Sequence, residues 1–490
     1  MHASEPRCRT GIAGLDDVLH GGLIRNRLYL VEGNPGSGKT TLALQYLLEG
    51  RAQGETGLYL TLSESTAELI AGARSHGWSL DGIELVELSS RDAALSEENH
   101  LTMFNPSEVE LSETTRAVLQ AVEARNPTRI VFDSLSEMRL LAQSSLRYRR
   151  QILALKQFFT GRSCTVLLLD DGTSEGPDLQ LQSIAHGVIK LEQLAPDYGG
   201  DRRRLRVIKY RGTAFRGGYH DFTIADGGLR VFPRLIAAEH RTDIADGTIS
   251  SGIEPLDALL GGGLNRGTST LFLGPAGSGK STTAIQYAAA AAARGEHAAV
   301  FTFDESFRTL RSRSRSLGLE FKEGRAPGQI SVRQVDPSEL SPGEFAHLVR
   351  EATETDKASV VIIDSLNGYL NAMPDERFLN AQLHELLSYL GEQGICTILV
   401  VAQHGLVGSQ MDAPVDTSYL ADSVVLFRFF EDGGRVKRAI SVIKKRSGPH
   451  EDTIREFRTG VRGVSIGAPL LNFQGVLTGS PVRQPNTPAS

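Results

Sequence analysis

The chain has 490 residues, of which 40% are hydrophobic and 22% charged, and its formal net charge is −6. This length predicts about two to four domains with substantial cores, and the composition excludes a largely disordered protein. Because Lys and Arg are spread along the chain, the charge argues against a protein dedicated to nucleic acid or to anionic membranes.

The cysteines and the apolar runs indicate the compartment. Cys8, Cys164 and Cys396 lie far apart in the sequence and match no metal-binding or disulfide spacing, so we expect buried thiols in a reducing environment. No apolar run reaches the roughly 18 residues of a membrane span, and the amino terminus lacks the apolar core of a signal peptide. We therefore expect a soluble, cytoplasmic protein.

Short apolar runs alternate with helical patterns along the first half of the chain. The runs predict strands over residues 27–33, 57–62, 129–133 and 164–170. Apolar residues at helical spacing predict helices over 39–50 and 112–127. Strands that alternate with helices indicate an α/β fold with a mostly parallel sheet covered by helices on both faces.

The second half of the chain repeats the first. A shift of 241 residues, the interval from Lys39 to Lys280, aligns TGIAGLDDVLHGGL at 10–23 with SGIEPLDALLGGGL at 251–264. RIVFDSLSEM and VVIIDSLNGY follow in the same order, as do RVIKYRGT and SVIKKRSG. The chain is therefore interpreted as a tandem duplication, with domains at 1–240 and 241–475 and a flexible tail at 476–490.

Each half contains a phosphate-binding loop of the form G-x-x-x-x-G-K-[ST], at 33–40 and at 274–281. Glycines let the backbone N–H groups turn inward around phosphate oxygens, the Lys reaches the β- and γ-phosphates, and the Ser or Thr hydroxyl binds Mg²⁺. In the first loop these residues are Gly33, Gly36, Gly38, Lys39 and Thr40, and in the second Gly274, Gly277, Gly279, Lys280 and Ser281.

Carboxylates at strand ends supply the remaining chemistry. Asp133 and Asp364 each close an apolar strand before Ser-Leu, where a carboxylate can hold the Mg²⁺ shell. Asp304 and Glu305 of the second half are candidates for orienting or deprotonating the nucleophile, and also for the metal. The first half has Ser63 followed by Glu64, which leaves Glu64 as its candidate base.

Pairs of cations recur late in each half, on predicted strands. Lys209 and Arg211 form the first pair, and Lys444 and Arg446 form the second. Alternate residues of a strand point to the same face, so each pair can present two charges to one partner. They are either solvated edge charges or groups that reach the nucleotide of a neighbouring subunit.

Together these motifs resemble the KaiC family of circadian-clock ATPases. The resemblance rests on GLDDVLHGGL before the first loop, ARSHGW, IKYRGT, FTIADGGLRVF and the closing LTGSPVR, and extends from about Thr10 to Arg483. It implies tandem RecA-like P-loop NTPase domains in a double-ring homo-hexamer, with ATP and Mg²⁺ bound between subunits. It also implies a slow ATPase in the first domain and a Ser/Thr autokinase in the second.

The resemblance also assigns site residues. The first ATP site would use Gly36, Ser37, Gly38, Lys39, Thr40, Thr41 and Ser75, with Lys209, Tyr210, Arg211, Thr213 and Asp226 from a neighbouring subunit. The second would use Gly277, Ser278, Gly279, Lys280, Ser281 and Thr282 beside Asp304 and Glu305, with Arg438, Lys444, Lys445 and Arg446 from the neighbour. The family's phosphoserine would fall on Ser418.

Four positions depart from the family pattern. Ser63 stands where the family has a glutamate, and Asp304 stands for another glutamate. Leu317 replaces an aromatic residue expected against adenine. Tyr419 replaces the phosphothreonine, so the resemblance does not carry over an ordered two-site cycle. One-site phosphorylation at Ser418 or at Thr417 and an ordinary polar turn are the alternatives left open.

The sequence thus favours a ring-forming ATPase with an autokinase domain that acts in signalling or circadian-type timing, with clock or signalling proteins as its expected partners. Two alternatives share the motifs: a RecA-like recombinase or helicase whose hydrolysis depends on DNA, and a nucleotide-gated scaffold with little turnover. The run RSRSRS at 311–316 could favour DNA, but we interpret it as a solvated helix face.

Overall fold

The computed structural model describes residues 5–88, 106–172, 179–196, 199–242, 246–336, 338–371, 379–403, 419–461, 463–477 and 481–483. The chain divides into two compact units, Met1–Arg234 and Leu235–Ser490, which we call the first and second domain. Leu235 and Ala237 already belong to a hydrophobic core of the second domain. Within the described ranges, no helix is long and apolar enough to cross a bilayer.

A nine-stranded sheet forms the centre of the first domain. The strands of this domain are β1 (Arg7–Cys8), β2 (Leu23–Ile24), β3 (Leu28–Gly33), β4 (Gly57–Thr61), β5 (Ile83–Glu87), β6 (Arg129–Asp133), β7 (Thr165–Asp170), β8 (Gly187–Leu194), β9 (Arg202–Tyr210), β10 (His220–Ala225) and β11 (Gly228–Phe232). The order across the sheet is β11-β10-β9-β8-β3-β7-β6-β4-β5, and β1 pairs with β2 outside it. The strands from β8 to β5 are parallel, and β9, β10 and β11 extend the sheet antiparallel.

The second domain repeats this sheet. Its strands are β12 (Thr248–Ile249), β13 (Leu264–Asn265), β14 (Ser269–Gly274), β15 (His297–Thr302), β16 (Ile330–Gln334), β17 (Ala358–Asp364), β18 (Cys396–Ala402), β19 (Ser423–Asp432), β20 (Arg435–Lys445), β21 (Arg455–Gly460), β22 (Gly463–Pro469), β23 (Phe473–Gln474) and β24 (Val482–Arg483). The order β22-β21-β20-β19-β14-β18-β17-β15-β16 matches that of the first sheet strand for strand. The duplication seen in the sequence is therefore a duplication of topology.

Helices connect the strands. Those of the first domain are α1 (Leu15–Val18), α2 (Lys39–Ala52), α3 (Thr66–Ser75), α4 (Pro106–Arg125), α5 (Leu135–Ala142), α6 (Ser145–Phe159) and α7 (Leu179–Ile184). Those of the second are α8 (Glu254–Leu259), α9 (Lys280–Ala293), α10 (Phe307–Ser316), α11 (Pro342–Arg350), α12 (Leu366–Asn371) and α13 (Leu379–Glu392). A 3₁₀ turn spans Ala237–His240, and a π-helical turn, Glu351–Thr355, follows α11.

Each sheet is buried on both faces because alternate side chains of its central strands enter different cores. Tyr29 and Val31 of β3 pack with α2 on one face. Leu28 and Leu30 pack with α6 on the other. The strands and helices expected from the sequence are all present, and the α/β prediction with mostly parallel sheets is confirmed. The three cysteines are buried and free, as expected.

Candidate functional site

Both phosphate loops lie between a central strand and the helix that follows it. The first connects β3 to α2, and the second connects β14 to α9. Positive φ angles occur at Gly36 (81°) and Gly38 (100°), and again at Gly277 (76°) and Gly279 (106°). Since this region of φ favours glycine, the sequence can place the loop N–H groups around an anion at the start of a helix.

The loop lysines are buried and directed back into their own loops. Lys39 Nζ donates to the carbonyl oxygens of Gly33 (2.7 Å) and Asn34 (3.0 Å). Lys280 Nζ donates to those of Gly274 (2.8 Å) and Pro275 (2.7 Å). Burial lowers the pKa of Lys280 to about 8. Each ammonium group therefore lies inside the curve of backbone that a polyphosphate would fill.

The two loops also hold an unsatisfied hydroxyl each. The side-chain oxygens of Ser37 and Ser278 are buried and lack a hydrogen-bond partner within the described residues. A buried hydroxyl without a partner is unfavourable by roughly 1–3 kcal/mol. A phosphate oxygen would satisfy it, so the residues present fit a nucleoside triphosphate.

A hydroxyl and a carboxylate meet beside each lysine. The Thr40 hydroxyl hydrogen-bonds to Asp133, whose carboxylate also accepts from the Tyr59 phenol at 2.5 Å. Ser281 makes the equivalent hydrogen bond to Asp364. Burial raises the pKa of both Asp133 and Asp364, which a nearby divalent cation would oppose.

These pairs are suited to Mg²⁺ held jointly with a nucleotide. Across the described ranges, no group of three or more His, Cys, Asp or Glu residues could hold a metal by itself. Mg²⁺ commonly takes one or two protein ligands plus phosphate oxygens and water. The first domain would supply Thr40 and Asp133, and the second Ser281 and Asp364.

The candidate catalytic carboxylate of the first domain lies near the same acids. Glu64 follows β4, which pairs with the end of β6 at Asp133. Burial, together with the negative charges of Asp133 and Asp171, raises the pKa of Glu64. A raised pKa makes a carboxylate a stronger base near neutral pH, which favours Glu64 for this role.

The second domain holds its two acids differently. Asp304 accepts a short hydrogen bond from the Ser365 hydroxyl. Glu305 forms a bidentate pair with Arg313, with N–O distances of 3.1 and 2.6 Å, and Arg313 also donates to the Thr282 hydroxyl at 3.1 Å. The interpretation of RSRSRS as a solvated face is therefore wrong for Arg313, because helix α10 turns this residue toward the loop.

The late cation pairs lie at the amino ends of the parallel strands, whereas the phosphate loops follow the carboxyl ends. Lys209 pairs with Val188 at the start of β8, and Lys444 pairs with Val424 at the start of β19. Because β9 and β20 run antiparallel, their carboxyl ends return to the amino ends of the parallel strands. Each pair therefore lies about one strand length, roughly 15 Å, from the phosphate loop of its own domain.

These cations have partners within their own domains. Lys209 donates to carbonyl oxygens at the end of α7, including Gln182 (2.6 Å) and Ala185 (2.7 Å), and Arg211 donates to Ser183. Among the cations of the second domain, Lys444 donates to Ala421, Lys445 to Leu260 and Arg446 to Tyr419, each at a backbone carbonyl.

Arg438 is placed differently from the cations grouped with it on the sequence. Its Nε donates to the carbonyl oxygen of Gly277, in its own phosphate loop, at 3.2 Å, and its guanidinium lies over the Phe429 ring. Arg438 is near the amino end of β20, whereas Lys444 is near the carboxyl end. The two residues therefore lie at opposite ends of the same strand, and only Arg438 is on the side of the sheet that holds the phosphate loop.

The other assigned residues lie at several places. The Tyr210 phenol is buried against Tyr29 and bonded to backbone groups at 22–24, so only its backbone could meet a ligand. Thr213 accepts from Arg7 at 2.7 Å. Thr41 is half-buried in the first turn of α2, and Ser75 and Asp226 are exposed at the end of α3 and in the β10–β11 turn.

The proposed phosphoacceptors, Ser418 and Thr417, lie outside the described residues. Tyr419, which follows them, is 55% exposed. Leu317, in place of the expected aromatic residue, caps the end of α10 and packs at the margin of a hydrophobic core.

Sequence reasoning missed two charged residues of the sites. Asp171 forms an ion pair with Lys39, with 2.9 Å between Oδ1 and Nζ. Arg313 holds Glu305, as described above. The acidic pair that ends the run LLLDD could have indicated Asp171, since a strand end is where ligands of such sheets gather. Arg313 carries no such signal among the alternating arginines of its helix.

Comparisons with known proteins agree with this geometry. A family model described as "ATPase: KaiC" matches residues 8–236 and 249–470. The "Circadian clock oscillator protein KaiC" of Picosynechococcus sp. is 27% identical over 97% of this chain and 92% of its own length. The protein of that name from Synechococcus elongatus is 27% identical, with 98% and 93% covered, and "Circadian clock protein KaiC3" of Synechocystis sp. is 27% identical, with 97% and 94% covered. With both sheets, both phosphate loops and nearly its whole length matched, the chain belongs to the KaiC ATPase family.

Proposed function

We propose that this protein is a cytoplasmic, ring-forming ATPase that hydrolyses ATP in both domains, autophosphorylates on Ser or Thr in the second, and acts in circadian-type timing or signalling. One repeated observation carries the proposal. In each domain a buried lysine, a hydroxyl and a strand-end aspartate converge at one phosphate loop. The names of the similar proteins support the timing role.

The residues of each site would divide the work of phosphoryl transfer. Lys39 or Lys280 would neutralise charge on the β- and γ-phosphates, and the paired hydroxyl and aspartate would hold Mg²⁺, which offsets the charge developed as the γ-phosphoryl group moves. The bond from the γ-phosphorus to its bridging oxygen breaks, and a new bond forms to water in hydrolysis or to the Ser418 oxygen in kinase action. Glu64, Asp304 and Glu305 would orient the acceptor and remove its proton.

A homo-hexamer would complete the sites. About one strand length separates Lys209, Arg211, Lys444 and Arg446 from their own loops, which supports a role at the loop of a neighbouring copy instead. A head-to-tail ring brings one edge of each subunit against the opposite edge of the next. Clock or signalling proteins would then read the state of the ring.

Radiolabelled ATP tests the assignment of the two activities. Lys280→Ala should reduce labelling of the protein by about two orders of magnitude, because a group that stabilises the transferring phosphoryl is lost. Hydrolysis at the first site should continue. The matched variant Lys39→Ala should keep the label, and peptide mapping over 411–425 should find it on Ser418.

Two results would count against this function. Labelling that persists in Lys280→Ala would remove the kinase activity from the second domain. Hydrolysis that rises with added single-stranded DNA would favour the recombinase or helicase alternative.

A further inference from the structure

Two equivalent serines in the repeated domains hydrogen-bond to different carboxylates. Ser134 and Ser365 each follow the aspartate that ends the equivalent strands β6 and β17. Ser365 donates to Asp304, which follows β15. Ser134 is linked instead to Asp171, which follows β7: its Oγ lies 3.3 Å from Asp171 Oδ2 and 2.5 Å from the Oγ of Ser136, which itself donates to that carboxylate.

The two sites carry one of their carboxylates at different positions. Residue 63, the counterpart of Asp304, is a serine, so the first domain lacks a carboxylate at that position. The pairing of Glu32 with Asp170 and of Leu273 with Val401 makes Ala402 the counterpart of Asp171. Compared with the second domain, the first therefore lacks a carboxylate after β4 and has an additional one after β7, on the far side of the intervening strand β6.

Asp171 lies beside the lysine of the first phosphate loop. Its Oδ1 lies 2.9 Å from Lys39 Nζ, the atom expected to meet the β- and γ-phosphates. Its Oδ2 accepts from Ser136 at 2.5 Å and from Ser134 at 3.3 Å. Because the Ser134 and Ser136 oxygens are only 2.5 Å apart, Ser136 is the main donor to this oxygen and Ser134 supports Ser136, while Oδ1 has Lys39 as its partner.

We propose that Asp171 is the second carboxylate of the first ATP site and accepts the proton of the attacking water, replacing the acid absent at Ser63. When a nucleotide draws Lys39 to its phosphates, Oδ1 of Asp171 loses its contact with Lys39 and faces the γ-phosphate. Oδ2 keeps its contacts with Ser136 and Ser134. The water oxygen then bonds to the γ-phosphorus, the bond to the ADP oxygen breaks with its electron pair, and the water proton passes to Oδ1. The inference rests on the proposed hydrolysis of ATP in the first domain.

The test uses the full chain with Lys280→Ala, which leaves the first site as the source of turnover. Asp171→Asn should lower kcat by about tenfold or more, since a positioned general base typically contributes about a hundredfold or more and Glu64 remains. ADP affinity, measured by titration calorimetry, should be unchanged or higher, because the carboxylate that competes with phosphate for Lys39 is gone. Adding Ser63→Asp should restore kcat to within about threefold of the parent.

Glu123→Gln is the matched control, since Glu123 is an exposed carboxylate paired with Arg162 on the surface. It makes the same change of charge and should leave kcat as in the parent. If Asp171→Asn does not fold, Asp171→Ala with and without Ser63→Asp gives the same comparison.

Three outcomes separate the possibilities. A kcat within threefold of the parent overturns the proposal, and so does an ADP affinity that falls in step with kcat, because Asp171 would then only shape the loop. Absence of turnover in the Lys280→Ala parent itself would refute hydrolysis by the first domain, which is a failure of the proposed function and not of Asp171 alone.

Discussion

His220 shows how a single buried side chain couples the first domain to pH. Its ring is 1% exposed, its Nε2 contacts the Arg216 carbonyl oxygen at 2.9 Å, and its Nδ1 accepts from the Arg234 N–H at 2.9 Å. Burial lowers the pKa of His220 to about 4. The unfolded chain therefore takes up a proton near pH 6.5, well before the folded domain does.

We expect the first domain to lose stability as the pH falls from about 6.5 to 4. The folded pKa is below the unfolded value, so the contribution of His220 is fully present above pH 6.5 and is lost on the way down, by roughly 2–3 kcal/mol. His220→Gln, which cannot titrate, should lack this part of the loss. Urea unfolding at pH 7.5 and 4.5, followed by the fluorescence of the single tryptophan, Trp78, would measure it.

Trp78 lies at the margin of a first-domain core, so its signal reports that domain. An equal loss of unfolding free energy in the parent and in His220→Gln would show that other groups carry the pH dependence.

At the scale of an element, helix α9 depends on a different feature at each end. Gly279 precedes the helix with φ of 106°, and a Cβ there would lie 2.4 Å from Cε1 of the buried Phe457 ring. Gly295 follows the helix with φ of 87°, and a Cβ there would meet nothing within 4 Å. Both sites disfavour a side chain by backbone conformation, but only Gly279 also lacks room.

Gly279→Ala should therefore weaken ADP binding at the second site by about tenfold or more. The strain of left-handed backbone is about 1–2 kcal/mol at either glycine, and at Gly279 the Phe457 ring must also move, which displaces the loop. Titration calorimetry of the full chain with Lys39→Ala measures the affinity.

Gly295→Ala is the control at the opposite end of the helix. It should lower the unfolding free energy by about 1 kcal/mol and leave the affinity at that of the parent. Equal affinities for the two variants would show that the loop tolerates the methyl group.

At the scale of the whole molecule, the opposite placement of loops and cations predicts sites shared between copies. Arg211 is exposed and directly follows β9, at the end of the sheet away from the first phosphate loop. Equal amounts of Lys39→Ala and Arg211→Ala, both with Lys280→Ala, should give mixed rings. About a quarter of the interfaces would join an intact loop to an intact Arg211, if mixing is random.

Hydrolysis by the mixture should then exceed the mean of the two separate variants. A steady-state phosphate assay after subunit exchange measures it. In the control, a chain that carries both Lys39→Ala and Arg211→Ala replaces the Arg211→Ala chain. No interface then has an intact loop, so no recovery is expected. Activity equal to the mean would indicate that each site is complete within one chain.

Local patterns were sufficient for a large part of this protein. Runs such as RIVFD predict strands, and the spacing of glycines around Lys39 and Lys280 predicts loops, because such preferences depend on neighbouring residues. The 241-residue repeat likewise predicted a second copy of the first sheet, which the strand orders confirm.

Tertiary structure decided which charged groups meet. The antiparallel direction of β20 places Arg438 beside its own loop and Lys444 at the far end of the strand, although they are only six positions apart in sequence. The pairing of strands from distant parts of the chain brings Asp171 to Lys39, and the rotation of α10 brings Arg313 to Glu305. Strand direction and helix orientation are set by long-range packing, so the sequence alone determined the fold and its loops, while only the folded chain determined the acids and cations around them.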